Sequence, residues 1–207
     1  MDFEVKTDQE AFWQGGFGDD YIERHRTPMT IPNKVNMLSR ILARTRNVNS
    51  VIEFGSNVGL NLQAMRILRP DLDVSGIEIN SKAHQELSKI TNISAYHASI
   101  LDPFSGPKHD LTMSLGVMIH ISPDHLEKVY DNLYNTTNRY VLVAEYYNPS
   151  PVALPYRNHD GKLFKRDFAG EMLDRFSDLT LVDYAFQYHR DPVFPQDDLT
   201  WFLLEKS

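Results

Sequence analysis

An acidic residue lies near the end of the strand-like run Ser50 to Phe54, and two glycines follow in the next five residues. The pattern is Glu53-x-Gly55-x-x-x-Gly59, and apolar residues then recur at helical spacing from Leu60 to Leu68. Glycines let the backbone approach a ligand closely, and the start of a helix presents unpaired N–H groups. This loop is therefore predicted to bind a small molecule.

The glycine spacing argues against two common phosphate-binding loops. A dinucleotide-binding loop needs glycine at its first, third and sixth positions, which here are Gly55, Asn57 and Leu60. The Gly-Lys-Ser/Thr triplet of a P-loop does not occur in the sequence. Because Glu53 would repel a pyrophosphate, a ligand with a cationic amine and no phosphate suits the loop better.

A second acid ends the next strand-like run, Asp73 to Ile79. Glu78 follows Gly59 by 19 residues, and an acid at this place accepts hydrogen bonds from ribose hydroxyls. Taken singly, Glu53 reads as a buried hydrogen-bonded carboxylate and Glu78 as a solvated strand end. Their occurrence on consecutive strands favours a nucleoside-containing cofactor.

Two further segments follow the third and fourth predicted strands, Ile93 to His97 and Asp110 to Leu115. After the third strand, Asp102 is either a partner of a nucleoside base or the cap of a turn before Pro103. The predicted cofactor contacts are Glu53, Gly55, Ser56, Asn57, Gly59, Asn61, Glu78, Ile79, Ser99, Ile100, Gly116 and Val117.

His120 is the predicted general base, since it lies a few residues beyond the fourth strand and imidazole titrates near neutrality. The alternative is a structural histidine that caps or packs under the following helix, which Ser122 is predicted to cap. Tyr147 is the second catalytic candidate, at the end of the fifth strand, Tyr140 to Glu145. Its alternative is ordinary packing at the rim of the sheet.

Acceptor contacts are predicted in the first 46 residues and beyond the fifth strand. A basic cluster in a stretch expected to be irregular favours an anionic acceptor, although a solvated loop explains it equally well. No metal site is predicted, because no ligand spacing on a single element is evident. The predicted acceptor contacts are Tyr21, Arg24, Tyr146, Asn148, Arg157, Lys165 and Arg166.

Strands and helices alternate along the chain, which predicts an α/β fold with a mostly parallel sheet. Residues 1–46 are predicted to form an N-terminal helical cap, with Asp20 capping a turn and a helix from about Lys34 to Arg46. Residues 47–207 form the predicted ligand-binding domain. In it Ser81 caps a helix to about Ile90 and Asp167 caps one to Phe176. The runs Leu179 to His189 and Leu199 to Glu205 are predicted to close the sheet as an antiparallel hairpin.

Composition narrows the classes of partner. The 207 residues carry 21 basic and 28 acidic side chains, a net charge of −7, which disfavours nucleic acid. The absence of cysteine rules out disulfides and thiolate catalysis. No signal segment or membrane span is apparent in the sequence, so a cytoplasmic location is expected.

These segments together resemble class I S-adenosylmethionine-dependent methyltransferases. Within them, Gly59-Leu60-Asn61-Leu62, Glu145-Tyr146-Tyr147-Asn148-Pro149 and residues 161–172 resemble the methylase family associated with pseudaminic acid biosynthesis. The resemblance implies a Rossmann-like fold with a seven-stranded sheet and an antiparallel last strand. It also implies S-adenosylmethionine as cofactor and a sugar, nonulosonic acid or nucleotide sugar as acceptor. A nicotinamide-dependent sugar oxidoreductase and a catalytically silent cofactor-binding subunit are the alternatives.

Overall fold

The computed structural model describes residues 5–22 and 27–207. The strands are β1 Ser50–Phe54, β2 Asp73–Glu78, β3 Ile93–His97, β4 His109–Leu115, β5 Thr137–Glu145, β6 Val152–Tyr156, β7 His159–Lys165, β8 Leu179–Phe186 and β9 Thr200–Lys206. The helices are α1 Asp8–Gln14, α2 Gly16–Tyr21, α3 Thr30–Leu42, α4 Leu60–Leu68, α5 Ser81–Ser88, α6 Leu126–Thr136 and α7 Phe168–Arg175.

Seven of these strands form one sheet in the order β3-β2-β1-β4-β5-β9-β8. The first five in this order pair in parallel, and β9 pairs antiparallel with both β5 and β8. The predicted fold class is therefore confirmed, including the antiparallel closing strand. The carboxyl ends of the parallel strands meet at one edge, where ligands bind in open α/β sheets.

Both faces of the sheet are covered by helices. On one face Ile52 and Phe54 of β1 belong to a core that contains Val129 of α6 and Met172 of α7. On the other face Val51 packs in a core to which α3, α4 and α5 contribute Leu38, Leu62 and Leu87. The alternation along β1 reflects the period of two in a strand, and burial on both faces explains its continuous apolar sequence.

The short helices α1 and α2 lie over the carboxyl edge of the sheet. The Asn80 amide donates to the backbone oxygens of Trp13 and Gln14, which attaches this pair to the end of β2. A Cβ on Gly18 would lie 1.8 Å from the Trp13 oxygen, so α2 packs here only with glycine at that position. The prediction that Asp20 caps a turn was wrong, because Asp20 lies inside α2.

The stretch predicted to be irregular contains a second, two-stranded sheet, the hairpin β6–β7. Its strands are mostly exposed and β6 contains Pro155, so neither alternation nor composition indicated them. The hairpin contacts α1, since the Lys162 ammonium donates to the Asp8 oxygen over 2.8 Å and the Gln9 amide to the Gly161 oxygen over 3.0 Å.

Several predicted boundaries shift by a few residues. Helix α3 begins and ends four residues earlier than expected, Asn80 rather than Ser81 caps α5, and Ser122 makes no side-chain capping bond. Asp167 caps α7 as predicted, through the backbone N–H of Gly170. Among the described residues, no helix has both the length and the apolar character needed to cross a membrane.

Candidate active site

One elongated cavity runs along the carboxyl edge of the sheet, past the ends of β1, β2, β4 and β5 and the turn after β3. Helices α1 and α2 cover it, and residues 196–199 close one side. The predicted cofactor contacts that line it are Gly55, Ser56, Asn57, Asn61, Glu78, Ile79, Ser99, Ile100, Gly116 and Val117. Ten of the twelve residues predicted from sequence spacing therefore lie on the wall of one cavity.

The loop after β1 has the backbone that its glycines permit. Gly55 has φ of 77° and its Cα faces the Val117 side chain, so a Cβ there would lie 2.6 Å from a valine methyl. Gly59 has φ of 75° and precedes the first turn of α4. Gly59 does not line the cavity, and its role is to turn the chain into the helix.

Glu78 has an exposed edge on the cavity and a fixed orientation. Its two carboxylate oxygens accept the backbone N–H groups of Asn57 and Asn80, each over 2.7 Å. Burial raises its pKa, and these donors act in the opposite direction. Each oxygen keeps a further lone pair for a hydroxyl donor from the cavity side.

Glu53 lies one layer behind the cavity wall. It is fully buried, and Asn61, which does line the cavity, donates to one of its oxygens over 2.5 Å. The other oxygen has no hydrogen-bond partner among the described residues. Burial raises the pKa of Glu53. Glu53 therefore orients Asn61 and is not itself a wall residue.

Lys34 extends this chain of contacts into the cavity. Its ammonium donates to the Asn61 carbonyl oxygen over 2.7 Å, so an ammonium, an amide and a carboxylate form a line from the cavity inward. Burial lowers the pKa of Lys34, and the nearby Glu53 carboxylate acts in the opposite direction. The Lys34 ammonium is a donor for an anionic group at this end of the cavity.

The turn after β3 forms the far end of the cavity. The Ser99 hydroxyl donates to the carboxylate of Glu10, which is 5% exposed and projects from α1. Asp102 is instead 43% exposed and pairs with Lys6 at the surface. Of the two interpretations open for Asp102, a place beside a nucleoside base does not agree with this position.

Glu145 at the end of β5 organises the turn that follows β4. One of its oxygens accepts the Ser114 hydroxyl and the backbone N–H groups of Val117 and Met118, at 3.0 to 3.1 Å. Burial raises the pKa of Glu145 to about 7, against the effect of these donors. The carboxyl group thereby fixes the backbone two residues before His120.

His120 lines the cavity and is 6% exposed. Its Nδ1 lies 2.6 Å from the Lys162 backbone oxygen, which only accepts, so Nδ1 carries the proton and Nε2 keeps a lone pair. Burial lowers the pKa of His120 to about 4, although the bond to Lys162 acts in the opposite direction. The ring is therefore a neutral hydrogen-bond acceptor at pH 7.

Aromatic rings surround His120. The ring of Trp13 lies 4.7 Å and that of Tyr156 lies 4.6 Å from the imidazole, between ring centres. Tyr21, Tyr146 and Asp197 also line this end of the cavity. Burial, and then the Asp197 carboxylate, raise the pKa of Tyr146 to about 12, so its hydroxyl is a donor at neutral pH.

Tyr147, the second catalytic candidate, and most of the predicted acceptor contacts lie outside the cavity wall. Tyr147 is 42% exposed and packs against Phe202, and the Asn148 amide bonds to the Ser150 oxygen. The predicted basic residues make contacts within the protein, with Arg157 over the Tyr156 ring, Lys165 over the Tyr146 ring and Arg166 paired to Glu171. Arg24 lies outside the described residues.

Among the wall residues that were not assigned to the site from the sequence are Glu10, Lys34, Glu145, Tyr156 and Asp197. Glu145 ends a buried strand, as Glu78 does, and Glu53 is the residue before the last in another, so that shared signal was available. The others come from α1, α3, the hairpin and the β8–β9 connection. Only the tertiary fold brings them to the sheet edge.

No protein-family profile and no curated protein sequence matches this chain. Solved structures do match. The magnesium protoporphyrin IX methyltransferase of Synechocystis PCC 6803, with S-adenosylhomocysteine bound, aligns over 97% of this chain and 100% of its own, with a TM-score of 0.69 and 14% identity.

Two other methyltransferases align over similar spans of this chain. The plantazolicin methyltransferase BpumL, in complex with a desmethyl-plantazolicin analogue and S-adenosylhomocysteine, covers 96% of each chain at a TM-score of 0.65 and 13% identity. The mitomycin 7-O-methyltransferase MmcR covers 97% of this chain and 61% of its own, with a TM-score of 0.67 and 10% identity. The chain therefore has the Rossmann-like fold of S-adenosylmethionine-dependent methyltransferases.

Proposed function

We propose that this protein transfers a methyl group from S-adenosylmethionine to a small polar acceptor. The observation that carries the proposal is the cavity itself. Along a single groove it presents Glu78 with free lone pairs, the Lys34 ammonium, and His120 with an available Nε2. These groups are complementary, in that order, to a ribose, a carboxylate and an acceptor proton.

The wall residues fit the cofactor's functional groups. Glu78 would accept the ribose hydroxyls, and the Lys34 ammonium, held by Asn61, would bind the carboxylate of the methionyl part. The loop after β1 lacks the glycine triad of a dinucleotide-binding loop, which disfavours a nicotinamide cofactor. The bound cofactor would supply an electrophilic methyl group, and the protein's part is to place a nucleophile in line with it.

His120 would take the proton from the acceptor. Its protonated Nδ1 is held by Lys162, so the ring is fixed with Nε2 unprotonated on a wall of the cavity. The low pKa makes it a weak base but keeps it unprotonated at every pH above about 5. Packing against Trp13 and Tyr156 keeps the ring away from water.

The acceptor we propose is a sugar, a nonulosonic acid or a nucleotide sugar. Tyrosine hydroxyls and aromatic faces at the His120 end suit a ring that has apolar C–H faces and hydroxyl edges. The negative charge of the acceptor was predicted from a basic cluster, but Arg157, Lys165 and Arg166 lie outside the cavity wall. That charge therefore stays a prediction. The sequence resemblance to the pseudaminic acid-associated methylases supports the choice of nonulosonic acids.

The test is incubation with methyl-labelled S-adenosylmethionine and a panel of nucleotide sugars and nonulosonic acids, followed by mass spectrometry. A gain of one methylene mass on one acceptor is expected, with a His120→Gln variant that binds S-adenosylhomocysteine normally but turns over about 100-fold more slowly. Cofactor binding without methylation of any acceptor would indicate the silent subunit. Binding of NADH in its place would contradict the proposal.

A further inference from the structure

Glu10 is a buried carboxylate that belongs to α1 and not to the sheet. It lines the cavity and is 5% exposed. One oxygen accepts the Ser99 hydroxyl, and the other accepts the backbone N–H of Lys6 over 2.6 Å. A carboxylate offers about four lone-pair sites, so about two remain for a donor inside the cavity.

The order of strands places Glu10 at a defined end of the cavity. The sheet runs β3-β2-β1-β4, so Ser99 and Glu10 lie on one side of Glu78, whereas Lys34, Asn61 and His120 lie towards β1 and β4. A nucleoside whose ribose contacts Glu78 and whose reactive group faces His120 has its base on the β3 side. Glu10 therefore faces the base.

A carboxylate recognises a base only by accepting hydrogen bonds. Adenine presents an exocyclic amine with two N–H donors, whereas hypoxanthine carries an oxygen at the same position, and that oxygen would face the carboxylate as one acceptor against another. Asp102, the acid that follows β3 in the sequence, is at the surface with Lys6 and is not a wall residue.

We propose that Glu10 accepts a hydrogen bond from the exocyclic amine of adenine and sets the preference of this site for an adenine nucleoside. The inference rests on the proposed cofactor. It places base recognition in helix α1, outside the seven-stranded sheet.

A purely structural role for Glu10 makes a different prediction. If Glu10 only attaches α1 to Ser99, its loss weakens the binding of every ligand by the same factor. If Glu10 reads the base, its loss changes the ratio between two ligands that differ only in the exocyclic group and the adjacent ring nitrogen of the base. The ratio therefore separates the two roles even in a destabilised variant.

The experiment is calorimetric titration of the whole protein with S-adenosylhomocysteine and S-inosylhomocysteine. We expect the wild type to prefer the adenine ligand by on the order of 10- to 100-fold, the range for a hydrogen bond to a charged group. In Glu10→Gln the amide N–H donates to the hypoxanthine oxygen, so the ratio should fall to about one or reverse. The matched control Asp102→Asn should keep the wild-type ratio.

A ligand-side measurement needs no variant. The S-adenosylhomocysteine analogue with two methyl groups on the exocyclic nitrogen has no N–H donor there, and it should lose a similar factor on the wild type. An unchanged ratio in Glu10→Gln, or full affinity for the dimethylated analogue, would overturn the inference. Failure of the wild type to bind S-adenosylhomocysteine at all would instead overturn the proposed function.

Discussion

Two features of its surroundings determine the tautomer and the charge of His120. The Lys162 oxygen fixes the proton on Nδ1, and burial between Trp13 and Tyr156 removes the water that would stabilise a positive charge. The result is a histidine that stays neutral far below the ordinary pKa of about 6.5. This state has a measurable effect on stability.

The pKa of His120 makes the protein less stable in mild acid. Because the group has a pKa of about 4 when folded and about 6.5 when unfolded, the unfolded chain binds more protons between these values. Stability is therefore lost as the pH falls below about 6.5, and at pH 5 the loss from this group is about 2 kcal/mol. Urea unfolding at pH 7 and pH 5 should show that His120→Gln loses about that much less than the wild type. Equal losses in the two proteins would mean that His120 is protonated alike in both states.

At the level of elements, glycine is required directly after β1 for two reasons, which a comparison with the glycine directly after β4 separates. Gly55 and Gly116 both have positive φ, but a Cβ on Gly55 meets Val117 whereas one on Gly116 meets nothing within 4 Å. Backbone strain is thus common to both positions, and the steric clash belongs to Gly55 alone.

Alanine substitutions at the two glycines should differ in stability. We expect Gly116→Ala to cost about 1 kcal/mol from the left-handed backbone, and Gly55→Ala about 2 to 4 kcal/mol because Val117 must also move. The free energy of unfolding in urea measures both. Since Gly116→Ala is the control for backbone strain, equal losses would contradict the clash at Gly55.

The elements that the sequence could predict are those whose pattern is local. The bounds of β1, β3 and α4 agree with the apolar runs and the glycine loop that indicated them. The hairpin β6–β7 could not be recognised, since its strands bury little and Pro155 interrupts β6. Helix α2 contains two glycines and was not recognisable from a local pattern. It is held by a hydrogen bond from the Asn80 amide to Asp19, two residues that are 61 positions apart in the sequence.

The candidate site divides in the same way. Glu78 and the glycine loop were predictable because one strand and its loop determine them. Lys34 and Glu10 were not, because a helix before β1 and a cap helix deliver them through tertiary packing. The position of Glu53 behind Asn61 could not be derived either, since spacing places a residue at a strand end but does not tell which layer its carboxylate occupies.

Across the whole molecule, the cavity joins helices α1 and α2, the sheet and the segment 196–199. A ligand that fills it contacts all three, so binding should raise the stability of the complete fold. This is a general consequence of binding only to the folded state.

Saturating S-adenosylhomocysteine should raise the melting temperature. At about 100 times the dissociation constant the stabilisation is about 2.7 kcal/mol, which for a chain of this size corresponds to about 5 to 10 °C. In Glu78→Ala the ligand-induced shift should largely disappear at the same ligand concentration, because the ribose loses its acceptor. Differential scanning calorimetry with and without ligand measures it, and a full shift in Glu78→Ala would show that the nucleoside is held elsewhere.

The aromatic wall around His120 is built by segments that do not belong to the seven-stranded sheet. Trp13 comes from α1, Tyr21 from α2 and Tyr156 from the hairpin, and the Asp197 carboxylate beside them comes from the β8–β9 connection. The hairpin also contributes Leu163, which is buried in the core that contains Val129 and Met172. Grafting a different hairpin between β5 and α7, with an apolar residue kept at the place of Leu163, is therefore a route to retarget such a scaffold to new chemical partners.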